Sequence, residues 1–235
     1  RELWAPSGVP EVNSREVPKV MEAADIEAVI AGFADAARRA AESGLHGVEV
    51  NAGQYSLVRQ FLSGLTNMRG DEYGTDRLRF AREVLAVVRA AIGPDRVLGL
   101  RLSCDELAPW AGLTPESATE VAVALAEHVD HLVVVRGSIF SVNATRPDGH
   151  TEPGFNLDLV RQVRDAVHAT APHVVVVAQG SIVDPAMAEA ALAEGRCDAV
   201  EMTRAQIADA ELVDHLRTDA SRVRPCILCN QVCQV

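Results

Sequence analysis

Apolar residues at Ile26, Val29, Ile30, Phe33, Ala37 and Ala40 recur every three or four positions, a stripe that predicts a helix over 25–43. Gly44 closes it, as a glycine after a helix commonly does. The run GVEVN at 47–51 then has strand length, and the alternation repeats four times. Helix 76–91 leads to strand 97–102, helix 115–127 to strand 131–136, helix 157–170 to strand 174–178, and helix 185–194 to strand 198–202. A last short helix is predicted over 211–217. Strands separated by helices imply parallel βα units. The strands are nearly continuous apolar runs, the pattern expected when both faces of a sheet are covered. Five such units with no break in composition fit an open doubly wound sheet or part of a (β/α)8 barrel, and the pattern alone leaves both open.

Polar residues at the strand ends favour the barrel. Asn51, Arg101, Arg136, the pair Gly180 and Ser181, and the pair Thr203 and Arg204 each fall at or just beyond the C-terminal end of a strand. A barrel brings those positions to one mouth, where barrel enzymes place their chemistry. The fold class is therefore α/β, a (β/α)8 TIM barrel that is incomplete, with about five βα units present. The first segment, WAPSGVP at 4–10, reads as loop, the first residue is Arg1, and both ends read as cut.

The chain has 235 residues, 48% of them hydrophobic, enough for one sizeable core without disulfide support. Its net charge of −11 argues against sequence-independent nucleic-acid binding, which needs basic patches. No apolar run approaches the roughly 20 residues that span a bilayer, and the first 20 residues lack a secretory pattern. The expectation is thus no membrane and no nucleic-acid partner, with a small-molecule substrate and the oligomeric state left open. Cys104 and Cys197 stand alone and read as ordinary small buried residues, whereas Cys226, Cys229 and Cys233 crowd the last ten positions. That spacing suits a cytoplasmic protein with a metal or cluster motif, not a disulfide framework.

Longer motifs sharpen this. The stretch GVEVNAGQYSLVRQFL at 47–62, followed by LTNMRGDEYG at 65–74, resembles the old yellow enzyme and 2,4-dienoyl-CoA reductase group of flavin oxidoreductases. The resemblance continues through RLRF at 77–80, RLS at 101–103, GSI at 180–182, Thr203 with Arg204, and PCILCNQVC at 225–233. It implies a flavin-binding barrel of which this chain holds strands four to eight, with residues 1–224 as partial barrel and 225–235 as the start of an iron–sulfur segment. It also implies FMN, a [4Fe–4S] cluster whose fourth ligand lies outside the chain, NAD(P)H as reductant, and FAD in a further module. The activity implied is transfer of a hydride from a nicotinamide cofactor, through flavin, to an activated alkene of the enone or dienoyl-CoA type. Two other readings stand beside it: a degenerate homologue that binds flavin or a partner without turnover, and a non-flavin barrel for a phosphorylated metabolite.

The resemblance assigns roles to particular residues. Gly180, Ser181, Thr203 and Arg204 are expected to hold the FMN phosphate, since a missing Cβ lets backbone N–H groups approach and arginine pairs bidentately with phosphate. Arg101, whose charge needs a partner inside an apolar strand, is expected beside the flavin N1/O2 edge, the alternative being a salt bridge to Glu49. Asn51 and Gln54 stand where the family binds the substrate carbonyl, with capping of the following turn as the alternative. Ser56 occupies the position of the family's proton-donating tyrosine, and Tyr55 lies one residue earlier. If 55–62 is helical, that displacement turns the side chain by roughly 100°, which leaves two outcomes: a loop distortion brings Tyr55 into the mouth, or, as is expected here, another donor such as water or His150 acts. Cys226, Cys229 and Cys233 are expected as three cluster ligands, with zinc as the rival metal.

Overall fold

The computed structural model describes residues 2–231 and 233. Two short strands, β1 (Trp4–Ala5) and β2 (Lys19–Val20), pair in parallel, so the opening segment is more ordered than a loop. Helix α1 (Ala23–Glu42) begins two residues before the predicted start. There Asp25 accepts the Glu22 N–H at 2.9 Å and pairs with Lys19. Such acceptors satisfy the orphan donors of a first turn.

Five strands make the main sheet: β3 (Gly47–Ala52), β4 (Val97–Ser103), β5 (His131–Val135), β6 (Val175–Ala178) and β7 (Ala199–Val200). All are parallel and lie in chain order, each beside its successor. A doubly wound sheet reverses its order at a switch point, and this one does not, which decides for the barrel architecture. Right-handed crossovers then put the connecting helices on one side. Helices α2 (Leu57–Leu62) and α3 (Glu72–Thr75) precede α4 (Arg79–Ile92), which starts three residues later than predicted. Next come α5 (Pro115–Ala126), α6 (Val142–Thr145), α7 (Leu157–His168) and α8 (Pro185–Ala193). Helices α9 (Thr203–Ala208) and α10 (Leu212–Thr218) end the run.

The core lies between helices and sheet. Leu98, Leu100 and Leu102 of β4 and Phe80, Val84 and Val88 of α4 belong to one buried cluster. The intervening residues point the other way, because strand side chains alternate with period two. Glu49, Arg101, His131, Val133 and Val177 accordingly line an open concavity on the opposite face. The expectation of two covered faces holds for the helix side only; the other face carries half-buried ionic groups. Among the described residues β3 pairs only with β4 and β7 only with β6, so both sheet edges are free.

Candidate active site

Beyond β6 the backbone turns sharply. Gly180 has φ 145° and Ser181 φ 53°, and a Cβ on Gly180 would lie 2.7 Å from the Asn156 Cβ. Glycine is required there for both conformation and space. Buried Asn156 holds the turn by donating to the carbonyls of Val134 at 3.1 Å and Gln179 at 2.9 Å. Ser181 Oγ then accepts from Arg204 Nη2 at 2.6 Å. Arg204 sits in the first turn of α9, a helix the periodicity did not predict, and its Nη1 donates to Pro147 O and Asn230 Oδ1, both at 2.7 Å. Thr203 donates to Glu201 at 2.8 Å.

Arg101 has the surroundings of the ionic alternative. Its Nε donates to Glu49 at 2.7 Å and its Nη2 to Glu201 at 2.8 Å, while His131 Nε2 lies 3.3 Å from the second Glu49 oxygen. Burial pushes the Glu49 carboxyl up, but His131 and Arg101 together outweigh it and hold the group below its ordinary range. Burial alone would lower the Arg101 pKa, and the two carboxylates reverse that and raise it.

The loop after β3 places the remaining candidates. Asn51 Oδ1 accepts the Gly53 N–H at 2.8 Å, the turn-capping alternative, and Gln54 Nε2 donates to Arg136 O at 3.2 Å. Ser56 is the N-cap of α2: its Oγ accepts the Arg59 N–H at 3.1 Å and donates to Gly53 O at 3.2 Å. Helix α2 begins at Leu57, so Tyr55 lies in a turn and the helical rotation expected for it does not apply. Its hydroxyl is 3.4 Å from Thr145 Oγ1. His150, the expected substitute donor, has a side chain 96% exposed, pairs with Asp148 and lines a different cavity.

One cavity of about 400 Å³, within the usual range of ligand sites, gathers most of these groups. Gln54, Tyr55, Arg101, Gly180, Ser181, Thr203 and Arg204 all line it; Asn51 and Ser56 do not. Thr145, Arg146, Gln179, Glu201 and Ile207 also line it and were missed. Gln179 adjoins Gly180 and Glu201 lies two residues before Thr203, a signal for both; Thr145 ends the short helix α6 and Arg146 follows it, and neither carried one. Cys233 reaches the same cavity, whereas Cys229 is exposed and Cys226 half-buried. Among the described residues no group of three or more His, Cys, Asp or Glu side chains is arranged to hold a metal, so the expected cluster ligands are not gathered. Cys104 and Cys197 are buried, and burial pushes both thiols up, as suits inert core residues. No described helix is long and apolar enough to cross a membrane.

The model of the NADH:flavin oxidoreductase / NADH oxidase family matches residues 4–222. A metal reductase of Desulforamulus reducens is 34% identical over 97% of this chain and 34% of its own. An N,N-dimethylglycine/sarcosine dehydrogenase of Chromohalobacter salexigens is 37% identical over 97% of this chain and 33% of its own. Among solved structures, 2-naphthoyl-CoA reductase in complex with 2-naphthoyl-CoA superposes with TM-score 0.89 at 30% identity, covering 98% of this chain and 35% of that one. Morphinone reductase in complex with tetrahydroNAD gives 0.70 at 26%, covering 94% and 60%. The chain thus spans about a third of the length of the first of these relatives.

Proposed function

The chain belongs to the NADH:flavin oxidoreductase / NADH oxidase family, and from that premise we propose that it forms the FMN-binding part of an NAD(P)H-dependent reductase of activated alkenes. The observation that carries this reading is the single cavity onto which residues 54, 101, 180–181 and 203–204 converge. The donor set fits the cofactor: a cation with a hydroxyl and a positive-φ turn, and beside them in the lining the Gln54 amide and the Tyr55 phenol.

Bound FMN would carry the hydride from the nicotinamide to the β-carbon of an enone or dienoyl-CoA type substrate. Arg204, Ser181 and the turn at Gly180 would hold its phosphate, with Thr203 fixed beside them through Glu201. Arg101 keeps a positive charge at the strand ends, moderated by Glu49 and Glu201. Gln54 retains a second amide hydrogen for a substrate carbonyl, whereas Asn51 caps the turn at Gly53 and lies outside the cavity lining. Tyr55 is the proton donor of this scheme: it lines the cavity, whereas the Ser56 hydroxyl is committed to the helix cap. Residues 1–224 are assigned to the partial barrel and 225–235 to a cysteine-bearing segment that packs against it through Leu228 and Asn230. The three ungathered thiols do not fit a cluster as they stand, and no step is assigned to one; iron and sulfide analysis of anaerobically purified protein decides between cluster, zinc and free thiols.

A second reading, flavin binding without turnover, is favoured by the two carboxylates around Arg101. Anaerobic NAD(P)H addition separates the readings. Bleaching of a yellow holoprotein and its reoxidation by a simple enone support the reductase. A bound flavin that NAD(P)H leaves oxidised supports the second, and a protein that takes up no flavin even from a large excess of FMN refutes both.

A further inference from the structure

We propose that Asn230, in the cysteine-bearing tail, is a positioning residue that aims Arg204 at a phosphate, making the tail a working part of the anion site. The inference rests on the reading that Arg204 receives the FMN phosphate. Three arginines line this cavity, and two of them, Arg101 and Arg204, stand in opposite surroundings. Arg101 is matched by two carboxylates. Arg204 forms no ion pair among the described residues; its three acceptors are the Pro147 carbonyl, the Asn230 amide oxygen and the Ser181 hydroxyl, all neutral. Neutral acceptors orient a guanidinium without cancelling its charge. Of its five N–H donors, those three bonds leave two for a bidentate anion.

Asn230 is itself held for this task. Its Nδ2 donates to Arg146 O at 2.8 Å, which turns Oδ1 toward Arg204. Its φ of 53° lies in the left-handed region that asparagine tolerates better than most residues. Two residues earlier, Leu228 is 5% exposed and anchors the tail against the body of the protein. The identity of the side chain matters as well: an aspartate in the same place would supply the acceptor but neutralise Arg204.

The test compares FMN with riboflavin, which lacks the phosphate, by flavin fluorescence titration of apoprotein from the full chain. Asn230→Gly removes the side chain without straining the positive φ, and Asn230→Asp keeps the acceptor while adding charge. The expected result is a loss of FMN affinity of about tenfold in Asn230→Gly, the scale of one charge-assisted hydrogen bond. The loss is larger in Asn230→Asp, and riboflavin affinity stays within about twofold in both. Unchanged FMN affinity in Asn230→Gly, or an equal fall for FMN and riboflavin, overturns the positioning role while Arg204→Ala still abolishes the preference for FMN. If Arg204→Ala keeps that preference, the underlying phosphate reading is the one that fails.

Discussion

Arg101 and Arg204 share a cavity and a charge, and their partners separate their roles. Two carboxylates hold Arg101, whereas Arg204 is oriented by neutral oxygens and has no ion-pair partner among the described residues. Arg204→Ala is therefore expected to weaken FMN binding by about 1.5–3 kcal/mol, measured by titration of the apoprotein. Unchanged affinity removes Arg204 from the site. Tyr55 and Ser56 divide in the same manner, one facing the cavity and the other capping α2. Tyr55→Phe should slow enone turnover strongly while leaving flavin reduction by NAD(P)H intact, as two separately timed half-reactions would show. Ser56→Ala should instead cost about 1 kcal/mol of stability, the usual worth of a helix cap. A Tyr55→Phe variant with normal turnover would return proton delivery to water.

At the scale of elements, α2 is fastened by a charge network that no periodicity announces. The Arg59 guanidinium bonds Glu106, which also accepts from Ser63 at 2.5 Å and from the Leu113 N–H at 2.8 Å, all deep in the protein. Removing one partner of a buried pair strands the other, so Arg59→Met is expected to lower unfolding free energy by about 3–5 kcal/mol in urea titrations. A change below 1 kcal/mol would show that Glu106 is held well enough by its other donors. Across the sheet, Glu49 on β3 joins Arg101 on β4 and His131 on β5. Its folded pKa lies below its ordinary value of 4.5. The stabilisation is thus fully present above that value and lost as pH falls through the folded one. As pH falls below 4.5, stability should fall less steeply in Glu49→Gln than in the parent chain; parallel curves would contradict the assignment.

For the molecule as a whole, the decisive fact is a parallel sheet with two free edges and an open concave face among the described residues. Unpaired strand edges template further pairing. The 235-residue chain by itself is expected to self-associate with rising concentration and to bind FMN weakly. Sedimentation and flavin titration check this together; a stable monomer with stoichiometric, tight FMN would be the contrary result.

The sequence by itself determined the βα alternation, because periods of two and 3.6 in apolar residues are local and survive without knowledge of neighbours. It also placed Gly180, Ser181 and Arg204 just beyond strand ends, where a barrel mouth gathers them, and all three line one cavity. Helix ends moved by one to three residues, at α1 where Asp25 accepts the Glu22 N–H and at α4 without a side-chain cap. Only the tertiary structure decided the rest. Strand order, which distinguishes a barrel from a doubly wound sheet, is a relation between distant segments. The pairing of Arg101 with Glu201, a hundred positions on, and of Arg204 with Asn230 are of the same kind. So is the separation of Tyr55 from Ser56: one turn residue and one cap, adjacent in sequence, sent to different tasks by the bend after β3. Local patterns record which surfaces a segment must bury; which charge meets which acceptor is settled only when the chain closes.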